Sequence, residues 1–120
     1  MQREIKFRAW DGIRFTTSGI MFNCSTGHLE TPEGARMKLY EFTGLHDRNG
    51  VEIYEGDIIG IHRVNGGVCR VGYCVFEKGK YVNKYKGTSF TDELGIYGDL
   101  QKIEVIGNIH QNPELLNATT

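Results

Sequence analysis

The sequence predicts a mostly β chain: an antiparallel β unit packed on a barrel-like β unit, with one short C-terminal helix. Three observations lead there. Sixteen glycines against two prolines supply many tight turns without proline-rich linkers. Short runs alternate apolar and polar residues with period two, as residues 5–10 do. Turn dipeptides, Asp11-Gly12 and Asn49-Gly50 among them, separate those runs. A chain of 120 residues suits one domain, divisible into two β units at 1–50 and 51–117 that share a core.

The elements follow in order. In residues 5–10, Ile5, Phe7 and Ala9 occupy one side of a strand and Lys6, Arg8 and Trp10 the other. Asp11-Gly12 turns the chain into a return strand at 13–17, and extended structure resumes at 20–24. Residues 25–36 are turn formers with few apolar anchors and read as a loop. The next strand, 37–45, places Leu39, Glu41 and Thr43 on one face and Lys38, Tyr40 and Phe42 on the other. Asn49-Gly50 turns it into 51–54, and Glu55-Gly56-Asp57 leads into 58–61, apolar enough for a buried strand. Asn65-Gly66-Gly67 precedes the longest strand, 68–77, which Lys78-Gly79 turns into 80–86. A last strand spans 103–109. Asn112 as cap, Pro113 at the first helical position and Glu114 at the positive end of the dipole mark the terminal helix.

Composition excludes several classes. With 39% apolar and 24% charged residues the chain lies away from the disordered class. A net charge of −1 gives no global field for nucleic acid or anionic membranes, although a local basic face remains open. No apolar run approaches the roughly 20 residues of a membrane helix, and the charged start lacks a secretory h-region. The expected location is therefore the bacterial cytoplasm. Three cysteines, Cys24, Cys69 and Cys74, fit reduced thiols there, and no cofactor or metal is expected.

The candidate chemistry is sparse. Asp47-Arg48-Asn49-Gly50 resembles part of a calcium loop, but Leu45 and Gly56 then fall at positions one and twelve, where carboxylates are needed. Glu55 and Asp57 share a face if extended and offer a small metal-dependent hydrolase or nuclease as a remote reading. Turn capping and strand-edge solvation are the favoured reading of the pair, which flanks a turn glycine with no histidine or third acid near in sequence. Lys78, Lys80, Lys84 and Lys86 interleave with Tyr81 and Tyr85, the mixture that single-stranded nucleic acid favours. Parity sends those lysines and tyrosines to opposite faces, as in a solvated face over a tyrosine-bearing core. Trp10, the sole tryptophan, is an interface anchor or a packing residue under a neighbouring loop.

Three segments carry a family resemblance: residues 3–11 (REIKFRAWD), 42–59 (FTGLHDRNGVEIYEGDII) and 104–116 (EVIGNIHQNPELL). In this order they resemble the YopX-like proteins of bacteriophages and prophages. The resemblance implies a phage or prophage setting and transfers no catalytic residues. Within it, Gly56-Asp57, an apolar strand, a Gly-Gly turn and a long strand are similar to the opening of SH3-like barrels. The reading that follows is a non-catalytic binding module for a host or phage protein, contacting it through Trp10, Tyr54, Glu55 and Asp57. The alternative is a nucleic-acid-binding accessory acting through the 78–86 segment. A chain this rich in strand edges is also expected to form a homo-oligomer.

Overall fold

The computed structural model describes residues 6–17, 20–32, 34–63, 66–87, 91–93 and 102–116. It is mostly antiparallel β, with almost no helix. The chain divides into two units, Met1–Phe42 and Thr43–Thr120.

In the first unit, β1 (Phe7–Trp10) lies between β2 (Phe15–Thr16) and the first half of β5 (Lys38–His46). The registers are Trp10 opposite Phe15 and Arg8 opposite Tyr40. The turn before β2 is built by Asp11, whose Oδ1 accepts from the backbone N–H groups of Ile13 and Arg14. Those two bonds hold the Asp11 carboxyl below its ordinary value of 3.8.

The 25–36 stretch, expected as a loop, instead contains β4 (His28–Glu30), which pairs with β3 (Met21–Asn23) as a separate hairpin. Side chains rather than apolar periodicity make this hairpin. Asn23 Oδ1 accepts from the backbone of Ser25 and Thr26 to form the turn, and Asn23 Nδ2 donates to Glu30 Oε1 across it. Such local Asx geometry leaves no period-two signature to read.

In the second unit, β6 (Glu52–Tyr54) neighbours β5. A five-stranded sheet then runs in the order β10 (Thr91–Glu93), β9 (Lys80–Lys84), β8 (Val68–Glu77), β7 (Asp57–His62), β11 (Ile103–Asn108). Residues 58–61 are all buried, as their unbroken apolar run predicts. Ile53, Ile59, Ile61, Cys74 and Ile103 form the core, with Leu45, Tyr81, Tyr85 and Val105 packed against it. Each fully buried isoleucine contributes about 2 kcal/mol relative to exposure, so this cluster outweighs any single surface pair.

Two close approaches fix local detail in that unit. A Cβ on Gly72 would stand 2.7 Å from both Asn83 Oδ1 and the Lys84 carbonyl. Only glycine lets β8 and β9 approach so closely there. Residue 107 sits where the β7–β11 register slips between Val105 and Gly107, and a Cβ would meet Asn112 at 2.6 Å.

The C-terminal helix is a single 3-10 turn, Pro113–Leu116. Asn112 does not cap it as expected: its Oδ1 accepts from the N–H of Asn108 at 3.2 Å. Its backbone carbonyl accepts from Leu115.

Candidate functional site

The first unit brings together a set of side chains that the sequence leaves scattered. Because β1 pairs antiparallel with both β2 and β5, one sheet face carries Lys6, Arg8 and Trp10 beside Phe15, Lys38, Tyr40 and Phe42. The opposite face carries Phe7, Ala9, Leu39 and Glu41. The aromatic rings interlock edge to face: Trp10 on Phe15 at 5.0 Å between centroids, Phe15 on Tyr40 at 5.6 Å.

Each cation of this face lies over a ring. Lys6 Nζ stands 4.8 Å from the centroid of Phe42, Arg8 Cζ 3.8 Å from Phe15 and Lys38 Nζ 5.4 Å from Tyr40. A cation above an aromatic face contributes about 0.5–1 kcal/mol at such half-exposed sites. That is too little to determine the fold, and enough to hold long, flexible head groups in one orientation. Tyr40 and Phe42 are buried; Lys6, Arg8, Trp10 and Phe15 are half-buried, and Lys38 is exposed. Of the acids in these strands and their turn, Glu41 belongs to the opposite face by register, and Asp11 is engaged by its own turn. The face joins three cations to aromatic rings on a chain of net charge −1.

Of the residues proposed alongside Trp10, the structure brings none to this face. Tyr54 and Asp57 are 7% and 2% exposed, and the Asp57 carboxylate points inward to accept from the N–H of Tyr54 at 2.8 Å. Their turn therefore presents Glu55, itself half-buried, and little else. The same inward bond takes Asp57 away from any open two-carboxylate site with Glu55. Among the described residues no group of three His, Cys, Asp or Glu side chains is placed to hold a metal ion. Cys74 lies beside these acids, and burial, then the charges of Asp57 and Glu55, push its thiol well above the usual range. It is a core side chain and a poor nucleophile.

The 78–86 segment keeps its lysines and tyrosines apart. Tyr81 and Tyr85 pack against the core, and Tyr81 also meets Phe76 edge to face at 5.0 Å. Lys78, Lys80 and Lys86 are exposed, while Lys84 faces Glu77 at 3.5 Å. Bases have no tyrosine face beside a lysine to stack upon here.

Two other polar groupings were not read from the sequence. Asp47 is 5% exposed; its carboxylate accepts from Asn49 and Val51 through Oδ1 and from Val105 through Oδ2. His62 Nε2 meets Glu104 Oε1 at 2.8 Å. Both join residues more than 40 positions apart, a separation that local spacing does not encode. Near the β3–β4 hairpin, Met21, Phe22, Cys24, Glu30 and Pro32 line an open depression of about 480 Å³.

Comparison with known proteins gives a consistent picture. A family model described as "YopX protein" matches residues 14–117. No curated protein matches the chain. Among solved structures, the chain is similar to protein EF1440 from Enterococcus faecalis, at 25% identity and a TM-score of 0.59, over 96% of this chain and 99% of that one. It is also similar in fold to protein yopX from Bacillus subtilis, at 21% identity and a TM-score of 0.62, over 95% and 98%.

Proposed function

The chain belongs to the YopX protein family, and we propose that it is a non-catalytic protein-binding module, phage- or prophage-encoded, that works by contacting a host or phage protein. The setting is the one the family resemblance implies, and the bacterial cytoplasm is the compartment that goes with it. Among the described residues no helix is long and apolar enough to cross a membrane.

One observation carries the reading. Lys6, Arg8 and Lys38 are held over aromatic rings on the face that also bears the half-exposed Trp10. Tryptophan and arginine are the side chains most enriched where binding energy concentrates, because each buries a large rigid area while keeping a polar handle. Holding the cations in place beforehand lowers the ordering cost of association. Trp10 is therefore a contact residue, and its companions are Arg8 and Lys38 in place of Tyr54 and Asp57. Self-association through strand edges is a further proposal, and sedimentation of the purified chain decides it.

The test is affinity capture from a bacterial lysate with and without nuclease, using the chain and its Trp10→Ala variant. The expected outcome is one stoichiometric protein that survives nuclease and is absent from the Trp10→Ala capture while the β circular-dichroism spectrum is retained. Capture that vanishes with nuclease sinks the reading and moves attention to the 78–86 lysines. If Trp10→Ala unfolds, Trp10 is a packing residue, and the exposed Lys38→Glu replaces it in the same comparison.

A further inference from the structure

We propose that Asn49 is a modification site: it converts through a cyclic imide to aspartate and isoaspartate, and the conversion loosens the Asp47 turn from the edge of β11. The proposal is independent of the binding-module reading.

The chemistry starts from the dipeptide. The Gly50 backbone nitrogen gives up its proton and attacks Asn49 Cγ; a five-membered imide closes and ammonia leaves. Water then opens the ring at either carbonyl, giving aspartate or an isoaspartyl link through the side chain. One water is consumed, one ammonia is released, and no other reactant enters. Glycine suits the attack because no Cβ crowds its nitrogen. The space beside it is open as well, since a Cβ built on Gly50 would meet nothing within 4 Å. Asn49 and Gly50 are both exposed, so water reaches the ring.

The fold sets the rate. The Gly50 N–H donates to the Asp47 carbonyl at 3.0 Å, and the Asn49 and Val51 N–H groups donate to Asp47 Oδ1 at 2.8 and 2.9 Å. A nitrogen bonded in that way keeps its proton. Attack therefore proceeds from the opened turn, and local opening costs less than global unfolding. The amide itself is held loosely: Asn49 Nδ2 lies 3.4 Å from Glu104 Oε2, a long contact.

The same neighbours determine what conversion does. At present the Asn49 amide donates to Glu104. An aspartate in its place has no such donor and faces a like charge. Glu104 is held there through its other oxygen by His62 at 2.8 Å. The isoaspartyl link adds a methylene to the main chain between residues 49 and 50, which shifts the Gly50 and Val51 N–H groups relative to Asp47. Asp47 Oδ2 in turn accepts from Val105, and the Arg48 N–H donates to the Ile103 carbonyl. The loop that covers the β11 edge is thus loosened irreversibly and with time.

The test incubates the chain and its Asp47→Asn variant in mildly alkaline buffer, native and in urea. Asn65→Gln is present throughout, because Asn65-Gly66 is the second Asn-Gly pair of the sequence. Mass spectrometry follows the amide-to-acid mass change on the peptide that contains Asn49. Conversion is expected in all samples, fastest and equal in the two urea samples. In the native state it should run about tenfold faster in Asp47→Asn than in the parent, the effect of weakening one charge-assisted turn bond. Absence of conversion in both native proteins overturns the proposal, as does a native parent rate equal to that in urea. If Asp47→Asn does not fold, the parent against its own urea sample carries the same comparison.

The consequence is measured separately. The converted fraction, isolated by its extra negative charge, should unfold at lower denaturant than the unconverted one and scatter more light. An unchanged midpoint and unchanged scattering overturn the release of the turn.

Discussion

Single side chains decide local details of this structure that the hydrophobic pattern leaves open. Gly72 is one case, because β8 and β9 approach so closely that a methyl group would strike the Lys84 carbonyl, which is backbone and yields little. Gly72→Ala is expected to cost about 2 kcal/mol, or a Tm lowered by about 8 °C for a domain of this size. An unchanged melting temperature would contradict the observed approach. Glu30 is a second case. Hydrogen bonds from Asn23, and then Thr26, favour its ionised form and hold its carboxyl below the ordinary 4.5. A depressed folded value means the unfolded chain takes up the proton first. The Glu30 contribution is therefore complete above pH 4.5 and lost as pH falls through the lowered folded value. The amide signals of Ser25 and Thr26, followed by NMR, should move only in that acid range. Movement centred at 4.5 or above would show that the Asn23 and Thr26 bonds do not form.

At the scale of elements, the chain protects its strand edges with particular residues. The outer edge of β11 is met by the Asp47 loop: Asp47 Oδ2 accepts from Val105 N–H, and the Arg48 N–H donates to the Ile103 carbonyl. A buried carboxylate thus stands in for a neighbouring strand. Asp47→Ala strands three backbone donors, those of Asn49, Val51 and Val105. It should cost about 3 kcal/mol and raise aggregation through the uncovered edge, measurable as a lowered denaturant midpoint with new light scattering. If stability falls and the variant stays monodisperse, the edge-covering role is wrong even though the hydrogen bonds are right. The sequence was legible where period and turn agreed. The 68–77 strand, the buried 58–61 run and the Asn49-Gly50 turn all follow from it, because alternation and glycine turns are local signals. It was silent at β4 and β10. The first is made by Asn23 side-chain bonds, and the second is only three residues long (Thr91–Glu93).

At the scale of the molecule, the same limit applies to the site. Parity alone placed Lys6, Arg8 and Trp10 on one face and Lys38, Tyr40 and Phe42 on another. What parity does not contain is the pairing of β1 with β5, some 30 residues away, which puts the two sets side by side. Tyr54 and Asp57 drew attention for the opposite reason. They sit at a turn, and turns are usually exposed, yet here the carboxylate is drawn inward to the backbone of Tyr54. The 78–86 segment reads alike in sequence and structure: lysines outward, tyrosines to the core. The proposed contact surface therefore belongs to the first unit, Met1–Phe42, and the Ile53, Ile59, Ile61, Cys74 and Ile103 core to the second.

That assignment is tested most directly by lysine-acetylation footprinting of the chain with and without its captured partner, read by mass spectrometry. Lys6 and Lys38 are predicted to lose reactivity in the complex while Lys78, Lys80 and Lys86 keep theirs. Protection of the 78–86 lysines with Lys6 and Lys38 still reactive would place the interface on the second unit and contradict it.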